Sequence, residues 1–87
     1  MITSQQMRAG RALLGIDQKR LAELAKVSLP TIQRMEASDG QVRGVVESLV
    51  KVVSALERAG VELIGENAPS QTGGRGVRLR QAVATQG

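Results

Sequence analysis

The sequence predicts a mainly α-helical domain, a bundle of four short helices followed by a short C-terminal β-hairpin or strand pair. Its 87 residues are the size of one small domain with one hydrophobic core. Residues 1–60 place apolar side chains at helical spacing behind polar capping residues. Two short segments of alternating character then follow among glycines, as is typical of β-strands.

The first helix is predicted over residues 4–14. Thr3 and Gln6 have the spacing of a capping box, in which each side chain accepts a hydrogen bond from the other residue's backbone N–H. Gly15 stands where a left-handed residue ends a helix. Between these signals lies an apolar stripe of Met7, Ala9, Gly10, Leu13 and Leu14.

Two shorter helices are predicted next, over residues 18–25 and 29–37. Asp17 caps the first of them, and Ser28 caps the second. Pro30 falls in the first turn of the later helix, where its missing N–H costs nothing. The small and apolar residues expected to pack these helices together are Leu21, Ala22, Ala25, Val27, Ile32 and Met35.

The fourth helix is predicted over residues 45–59 and ends before Gly60. The candidate strands are residues 61–64 and 77–80, separated by a loop rich in Gly, Ser, Asn and Pro. Both strands are too short to stand alone, so they pair either with each other or across a dimer. This organisation comprises a helical domain (1–60), a β appendage (61–80) and a tail (81–87). The apolar stripe of the fourth helix is Val46, Leu49, Val50, Val53 and Leu56.

Composition excludes several classes of function. Without Cys or His, the chain offers no thiolate nucleophile, imidazole base or N/S zinc site, so we expect no enzyme, metal or cofactor. Without Phe, Tyr or Trp, it has no platform for stacking single-stranded bases, which leaves duplex nucleic acid. The net charge of +4 suits a polyanionic partner. No apolar run approaches the ~18 residues of a membrane span, so we expect a cytoplasmic protein without membrane contact.

The most informative segment is GIDQKRLAELAKVSLPTIQRME, residues 15–36. It holds a short capped helix, a turn of about three residues and a second short capped helix, which is helix-turn-helix spacing. The segment resembles the Cro and phage-repressor helix-turn-helix family, also called XRE, and Arg8 and Arg11 match that family's first helix. The resemblance implies a lambda-repressor-like bundle. The matching residues of the segment are Gly15, Gln18, Leu21, Ala22, Ala25, Val27, Ser28, Thr31, Ile32 and Glu36.

The resemblance also implies which residues contact DNA. The third helix is expected to enter the major groove, with Leu29 and Pro30 as apolar departures that touch thymine methyl groups and Arg34 as the candidate for a guanine contact. Gln18 begins the second helix, where the helix dipole favours a phosphate. Lys26 replaces the family's turn glycine and adds positive charge. The base-contacting set is Ser28, Leu29, Pro30, Thr31, Gln33 and Arg34, and the phosphate-contacting set is Gln18, Lys26 and Arg43.

Two further expectations concern structure rather than recognition. By resemblance, Arg11 and Glu36 form a salt bridge that locks the first helix to the third. The C-terminal part is similar to a bacterial subgroup of small regulators with a β appendage, and this appendage is expected to hold a dimer. The expected dimerisation residues are Val61, Leu63, Val77 and Leu79.

The sequence therefore predicts a sequence-specific regulator of transcription, a repressor that binds double-stranded DNA as a homodimer on a two-fold operator. Two other interpretations stay open. The chain is alternatively an antitoxin or mobile-element control protein that also binds a second protein, such as a toxin, through its C-terminal segment. The other alternative is a protein-interaction module without DNA binding, for which the apolar pair Leu29 and Pro30 is the argument.

Overall fold

The computed structural model describes residues 2–42, 44–66 and 68–80 of the chain. Within them no helix has the length and apolar character needed to cross a membrane. The predicted tail, residues 81–87, and the predicted phosphate contact Arg43 lie outside the described residues. The described elements are helices α1 (Ser4–Leu14), α2 (Gln18–Ala25), α3 (Leu29–Glu36) and α4 (Val46–Arg58), and strands β1 (Val61–Ile64) and β2 (Gly76–Leu79).

This architecture confirms the prediction of a small, mainly helical domain with four helices and a C-terminal strand pair. The bounds differ slightly from the predicted ones. Ala37 is the C-cap of α3, and Val45 and Ala59 are the caps of α4, so these three residues flank the helices rather than belonging to them. Strand β2 begins and ends one residue earlier than predicted, because Gly76 pairs with Ile64.

Side chains set the starts of the first three helices. The Thr3 hydroxyl accepts a hydrogen bond from the Gln6 backbone N–H at 3.1 Å, and the Gln6 side chain accepts one from the Thr3 N–H at 3.0 Å. Asp17 accepts from the Arg20 N–H at 2.8 Å at the start of α2. Ser28 caps α3 in the same way. Each bond satisfies a donor that the helix itself leaves without a partner.

The turn between α2 and α3 depends on Lys26. Its backbone is left-handed, with φ 58° and ψ 45°, and its N–H donates to the Glu23 carbonyl at 3.3 Å. It is the one non-glycine residue with positive φ in the described part of the chain. A Cβ in this conformation costs on the order of 1 kcal/mol, so the turn forms at the expense of local strain.

All four helices and β1 contribute to one hydrophobic core. Gly10 of α1 lies so close to α4 that a Cβ on it would meet the Leu56 side chain at 3.3 Å, which explains the absence of a side chain there. Val27 is half-buried and packs against this core as predicted, whereas Leu13 of the predicted α1 stripe is exposed. The buried apolar residues are Ile2, Met7, Leu21, Ala22, Ala25, Ile32, Met35, Val42, Val52, Ala55, Leu56 and Val61.

Helix α4 turns only part of its predicted apolar stripe towards the core. Val52, Ala55 and Leu56 are buried, whereas Val46 is 68% exposed and Val50 is 47% exposed. The helix carries valine over more of its circumference than the core covers. Within the predicted stripe Leu56 is buried and Leu49 and Val53 pack against the core, whereas Val46 and Val50 lie on the surface.

The two strands pair with each other within one chain. The pairing is antiparallel, with Val61 opposite Leu79 and Leu63 opposite Val77. Residues directly opposite share a face of the hairpin, and on this face Val61 is fully buried. The other face carries Glu62 and Arg78, whose side chains form a salt bridge at 2.9 Å.

Gln6 ties the hairpin to α1. Its side-chain amide nitrogen donates to the Ile64 carbonyl at 3.1 Å and to the Gly76 carbonyl at 2.9 Å. The same side chain completes the capping box at Thr3. Gln6 is buried and uses its amide fully, so the end of the hairpin is held at the start of the first helix.

Candidate nucleic-acid interface

Helix α3 has one buried face and one exposed face. Ile32 and Met35 enter the core, and Glu36 is buried at the end of the helix. The six residues predicted to contact bases, which we call the α3 surface, lie on the outer side and at the start of the helix, except that Leu29 packs against the core. Within it Leu29 and Thr31 are half-buried and the other four are exposed. The members of the α3 surface are Ser28, Leu29, Pro30, Thr31, Gln33 and Arg34.

Three polar side chains of the α3 surface form a row at i, i+3 and i+6 spacing. The hydroxyls of Ser28 and Thr31 lie 2.8 Å apart in a hydrogen bond. The Arg34 guanidinium donates to the Thr31 hydroxyl at 3.4 Å. This long contact uses one of five guanidinium donors, which leaves Arg34 able to bind a carboxylate, a phosphate or a guanine edge.

A small cavity of about 210 Å³ lies between α3 and the start of α4. Thr31, Arg34 and Ser48 contribute polar atoms to its lining. The N-cap of α4 is Val45, which makes no side-chain capping bond, so the backbone N–H groups of the first turn face outward without such a partner. N–H groups at a helix start together with a nearby guanidinium favour an anion, while the Glu47 carboxylate in the same first turn opposes one.

A bidentate ion pair fixes α3 against α1. Arg11 donates from Nε and Nη2 to the two carboxylate oxygens of Glu36, each at 2.7 Å. The Glu36 side chain is 3% exposed and that of Arg11 is 20% exposed. The hydrogen bonds to Glu36 raise the pKa of Arg11 above its ordinary value, burial opposes this, and the charges of Glu36 and Asp17 add to the rise. The structure thus contains the predicted ion pair in a largely desolvated setting.

Two more side chains converge on Glu36. Gln18 donates from Nε2 to the Glu36 carboxylate at 3.1 Å, which the sequence did not indicate. Arg8 donates to the Glu36 backbone carbonyl at 2.6 Å. Gln18 still has one amide N–H and its carbonyl oxygen for another partner. Helices α1 and α2 are therefore both hydrogen-bonded to the end of α3. Gln18, the first residue of α2, belongs to this network.

Several cations near the α3 surface are without an acidic partner. Within residues 2–42, 44–66 and 68–80, Lys19, Lys26 and Arg34 form no salt bridge. Other arginines are partly neutralised, as Arg20 is by Glu23 at 3.3 Å. An anion that approaches α3 therefore meets unneutralised positive charge on the turn and on both helices. In the same described residues no group of three or more His, Cys, Asp or Glu could hold a metal ion.

The predicted dimerisation residues differ in their availability. Val61 is fully buried in the core of its own chain, and Leu63 and Val77 are half-buried. Leu79 is 48% exposed. The most exposed large apolar residues of the described chain lie instead at the start of α4, where Val45 is 69% exposed next to Val46. Both surfaces present apolar area to a protein partner.

The chain matches no protein-family model, and no curated protein sequence matches it either. The assignment of a function therefore depends on the residues and the geometry described above.

Proposed function

We propose that this chain is a sequence-specific duplex-DNA-binding regulator of transcription of the Cro and phage-repressor type, with α2 and α3 as the helix-turn-helix of a lambda-repressor-like domain. The observation that supports this most is the α3 surface, an exposed row of hydrogen-bonding side chains on a helix whose other side is locked by a buried ion pair. In this proposal the protein acts in the cytoplasm by binding, without catalysis.

Helix α3 enters the major groove with its N-terminal half towards the bases. Arg34 donates two hydrogen bonds to a guanine, and Thr31 holds its guanidinium along the helix. Ser28 and Gln33 reach other base edges as donors or acceptors. Pro30 is exposed and contacts a thymine methyl group, while Leu29 is half-buried and contributes less.

The DNA backbone is held from both sides of α3. The start of α2, with the remaining amide N–H of Gln18, faces one strand, and Lys26 lies on the turn before α3. The open first turn of α4 binds a phosphate beside Arg34. Such contacts position the protein and carry no sequence information themselves.

A homodimer supplies the specificity that one helix lacks. Eight-residue α3 offers too few base contacts for selection among genomic sites, and two copies double the discriminating energy. Because the strands already pair within one chain, the dimer contact needs another apolar surface. Two candidates among the described residues are Leu79 on the hairpin and the exposed valines at the start of α4.

Selection from a library of random-sequence duplexes tests the proposal. We expect enrichment of a motif with two-fold symmetry, and binding of the selected duplex that weakens steeply with salt. The matched variant is Arg34→Ala, with Arg78→Ala on the outer face of the hairpin as the control. The absence of both enrichment and salt-dependent duplex binding would refute the proposal.

A second candidate function has one observation in its favour. The exposed valines Val45, Val46 and Val50 suit a protein partner, as an antitoxin or mobile-element control protein would need. Purification of the tagged chain from its own cells distinguishes this candidate, which requires a stoichiometric second protein. The module without DNA binding is less favoured, because Leu29 is half-buried and Pro30 is the one exposed apolar residue of the α3 surface.

A further inference from the structure

A groove with three basic side chains lies between the end of α2 and the middle of α4. Its volume is about 530 Å³. Lys26 provides one side, Lys51 and Arg58 provide the other, and Ser54 lies between the latter two along α4. The complete lining is Ala25, Lys26, Val50, Lys51, Ser54 and Arg58.

The positive charge in this groove is not neutralised within the chain. In the described ranges 2–42, 44–66 and 68–80, Lys26, Lys51 and Arg58 take part in no salt bridge. Arg58 donates to the Leu24 carbonyl at 3.4 Å, which holds its guanidinium against the end of α2. Glu47 and Glu57 lie on α4 as well, but neither lines the groove.

The strained turn is an independent reason to assign a role to this groove. Lys26 occupies a left-handed conformation that glycine would adopt without strain. Lys26 lines the groove, so the chain carries a cation there at the cost of that strain. Strain that a simple substitution would relieve indicates that the side chain has a function.

The spacing of the cations favours a chain of phosphates over a lone anion. Lys51 and Arg58 are seven residues apart on α4, which is about 10 Å along the helix axis. Each DNA strand carries one phosphate per ~3.4 Å of duplex, so a backbone segment offers several phosphates over that length. Lys26 also lies two residues before Ser28, so the groove begins next to the α3 surface.

We propose that this groove binds the sugar-phosphate backbone of the DNA segment that flanks the bases contacted by α3. The inference deepens the proposed function and rests on it. Lys26 is shared by both surfaces, and Lys51 and Arg58 extend the contact along α4, away from the base edges. The groove adds affinity and salt dependence without adding base preference.

The test compares the salt dependence of binding for Lys51→Gln and for Arg78→Gln. Both variants lose one positive charge at an exposed position, and glutamine is a good helix former at residue 51. The probes are random-sequence duplexes of roughly 30 and roughly 12 base pairs. The longer duplex extends past the site covered by α3, and the shorter one does not. Lys51→Arg restores the charge and serves as the rescue.

On the long duplex, Lys51→Gln is expected to lower the slope of log K against log salt by about 0.9 per bound chain. The matching loss of affinity at about 0.1 M salt is roughly eightfold. Arg78→Gln and Lys51→Arg should leave the slope as in the wild type, and the short duplex should not distinguish Lys51→Gln from it.

Three other results would overturn the proposal in distinguishable ways. If the wild type binds duplex DNA and Lys51→Gln has the slope of Arg78→Gln, the groove is not a DNA contact, while the proposed function stands. If the wild type binds no duplex at any salt concentration, both fail. If inorganic phosphate saturates the NMR shifts of the groove amides and the duplex slope is unchanged, the groove binds a free anion instead.

Discussion

Replacing Glu36 by alanine tests whether the ion pair at the end of α3 orders the domain. The substitution removes a carboxylate that accepts two hydrogen bonds from Arg11 at 2.7 Å and one from Gln18 at 3.1 Å. Breaking a buried pair costs about 3–5 kcal/mol, because the remaining charge loses its partner. The Arg11 side chain is 20% exposed and can regain some water, so we expect a loss of about 3 kcal/mol in unfolding free energy.

Urea and thermal unfolding followed by circular dichroism measure this loss. In a domain of this size, about 3 kcal/mol corresponds to a decrease in Tm of roughly 12–24 °C. The control is Arg78→Ala, which breaks an exposed pair with Glu62 and should cost less than about 1 kcal/mol. A double variant, Arg11→Met with Glu36→Leu, should be more stable than Glu36→Ala, because no charge is left without a partner.

The pair also has an expected pH dependence. The folded-state pKa of Arg11 is raised, so its contribution is complete below the ordinary arginine pKa and is lost only as pH rises through the folded value. Arg11 stays protonated from neutral pH to about pH 10. Its titration should therefore not change the difference in unfolding free energy between the wild type and Arg11→Met over this range. An unfolding midpoint of Glu36→Ala equal to that of the wild type would show that water, and not Arg11, solvates this carboxylate.

The remaining predictions concern DNA and the dimer. Arg34→Ala should weaken binding of the selected duplex by about 1–3 kcal/mol and relax preference at one base position, as competition with single-base variants measures; a uniform loss would make Arg34 a phosphate contact. Gln18→Ala should weaken binding to all sequences alike and, unlike Arg34→Ala, also lower stability by about 1 kcal/mol through the lost bond to Glu36. Light scattering should show a dimer of the full chain that either Leu79→Lys or Val46→Lys dissociates, and a dimer that survives both substitutions would exclude both surfaces.

Local signals in the sequence predicted most of the secondary structure. The caps at Thr3, Asp17 and Ser28 mark the starts of three helices, because each side-chain oxygen accepts a hydrogen bond from a first-turn N–H that has no partner within the helix. At Lys26 the resemblance, rather than the spacing, indicated a turn position where the family has glycine, and the backbone there is left-handed. The caps depend on residues within one turn of each other, which is why the chain order is sufficient to find them.

The orientation of α4 was not predictable in the same way. Val46, Val50 and Val53 form a stripe of their own beside Val52 and Leu56, so the apolar pattern allows more than one face to be buried. Packing against α2 and the hairpin determines which face of α4 is buried. The spacing of apolar residues within one helix does not show which elements pack against it.

The candidate site likewise contains residues that are close together in the sequence and residues that only the packing of the helices brings together. The α3 surface lies within seven consecutive residues, and the resemblance implied its members, while the apolar spacing indicated that Ile32 and Met35 face the core. The bond from Gln18 to Glu36 and the groove of Lys26, Lys51 and Arg58 bring together residues that are distant in sequence. No local spacing indicates them, and they emerge only from the packed helices.

The hydrogen bonds of Gln6 have a consequence for the order in which the chain folds. Its amide joins residues 58 and 70 positions away, which are among the most distant contacts the chain makes. A growing chain exposes Gln6 early and the hairpin late, so the Thr3 cap and the helices form first and the hairpin closes last. Loss of the hairpin would leave a buried amide without acceptors. We therefore expect detachment of the hairpin to loosen the start of the first helix, which couples the two ends of the described chain.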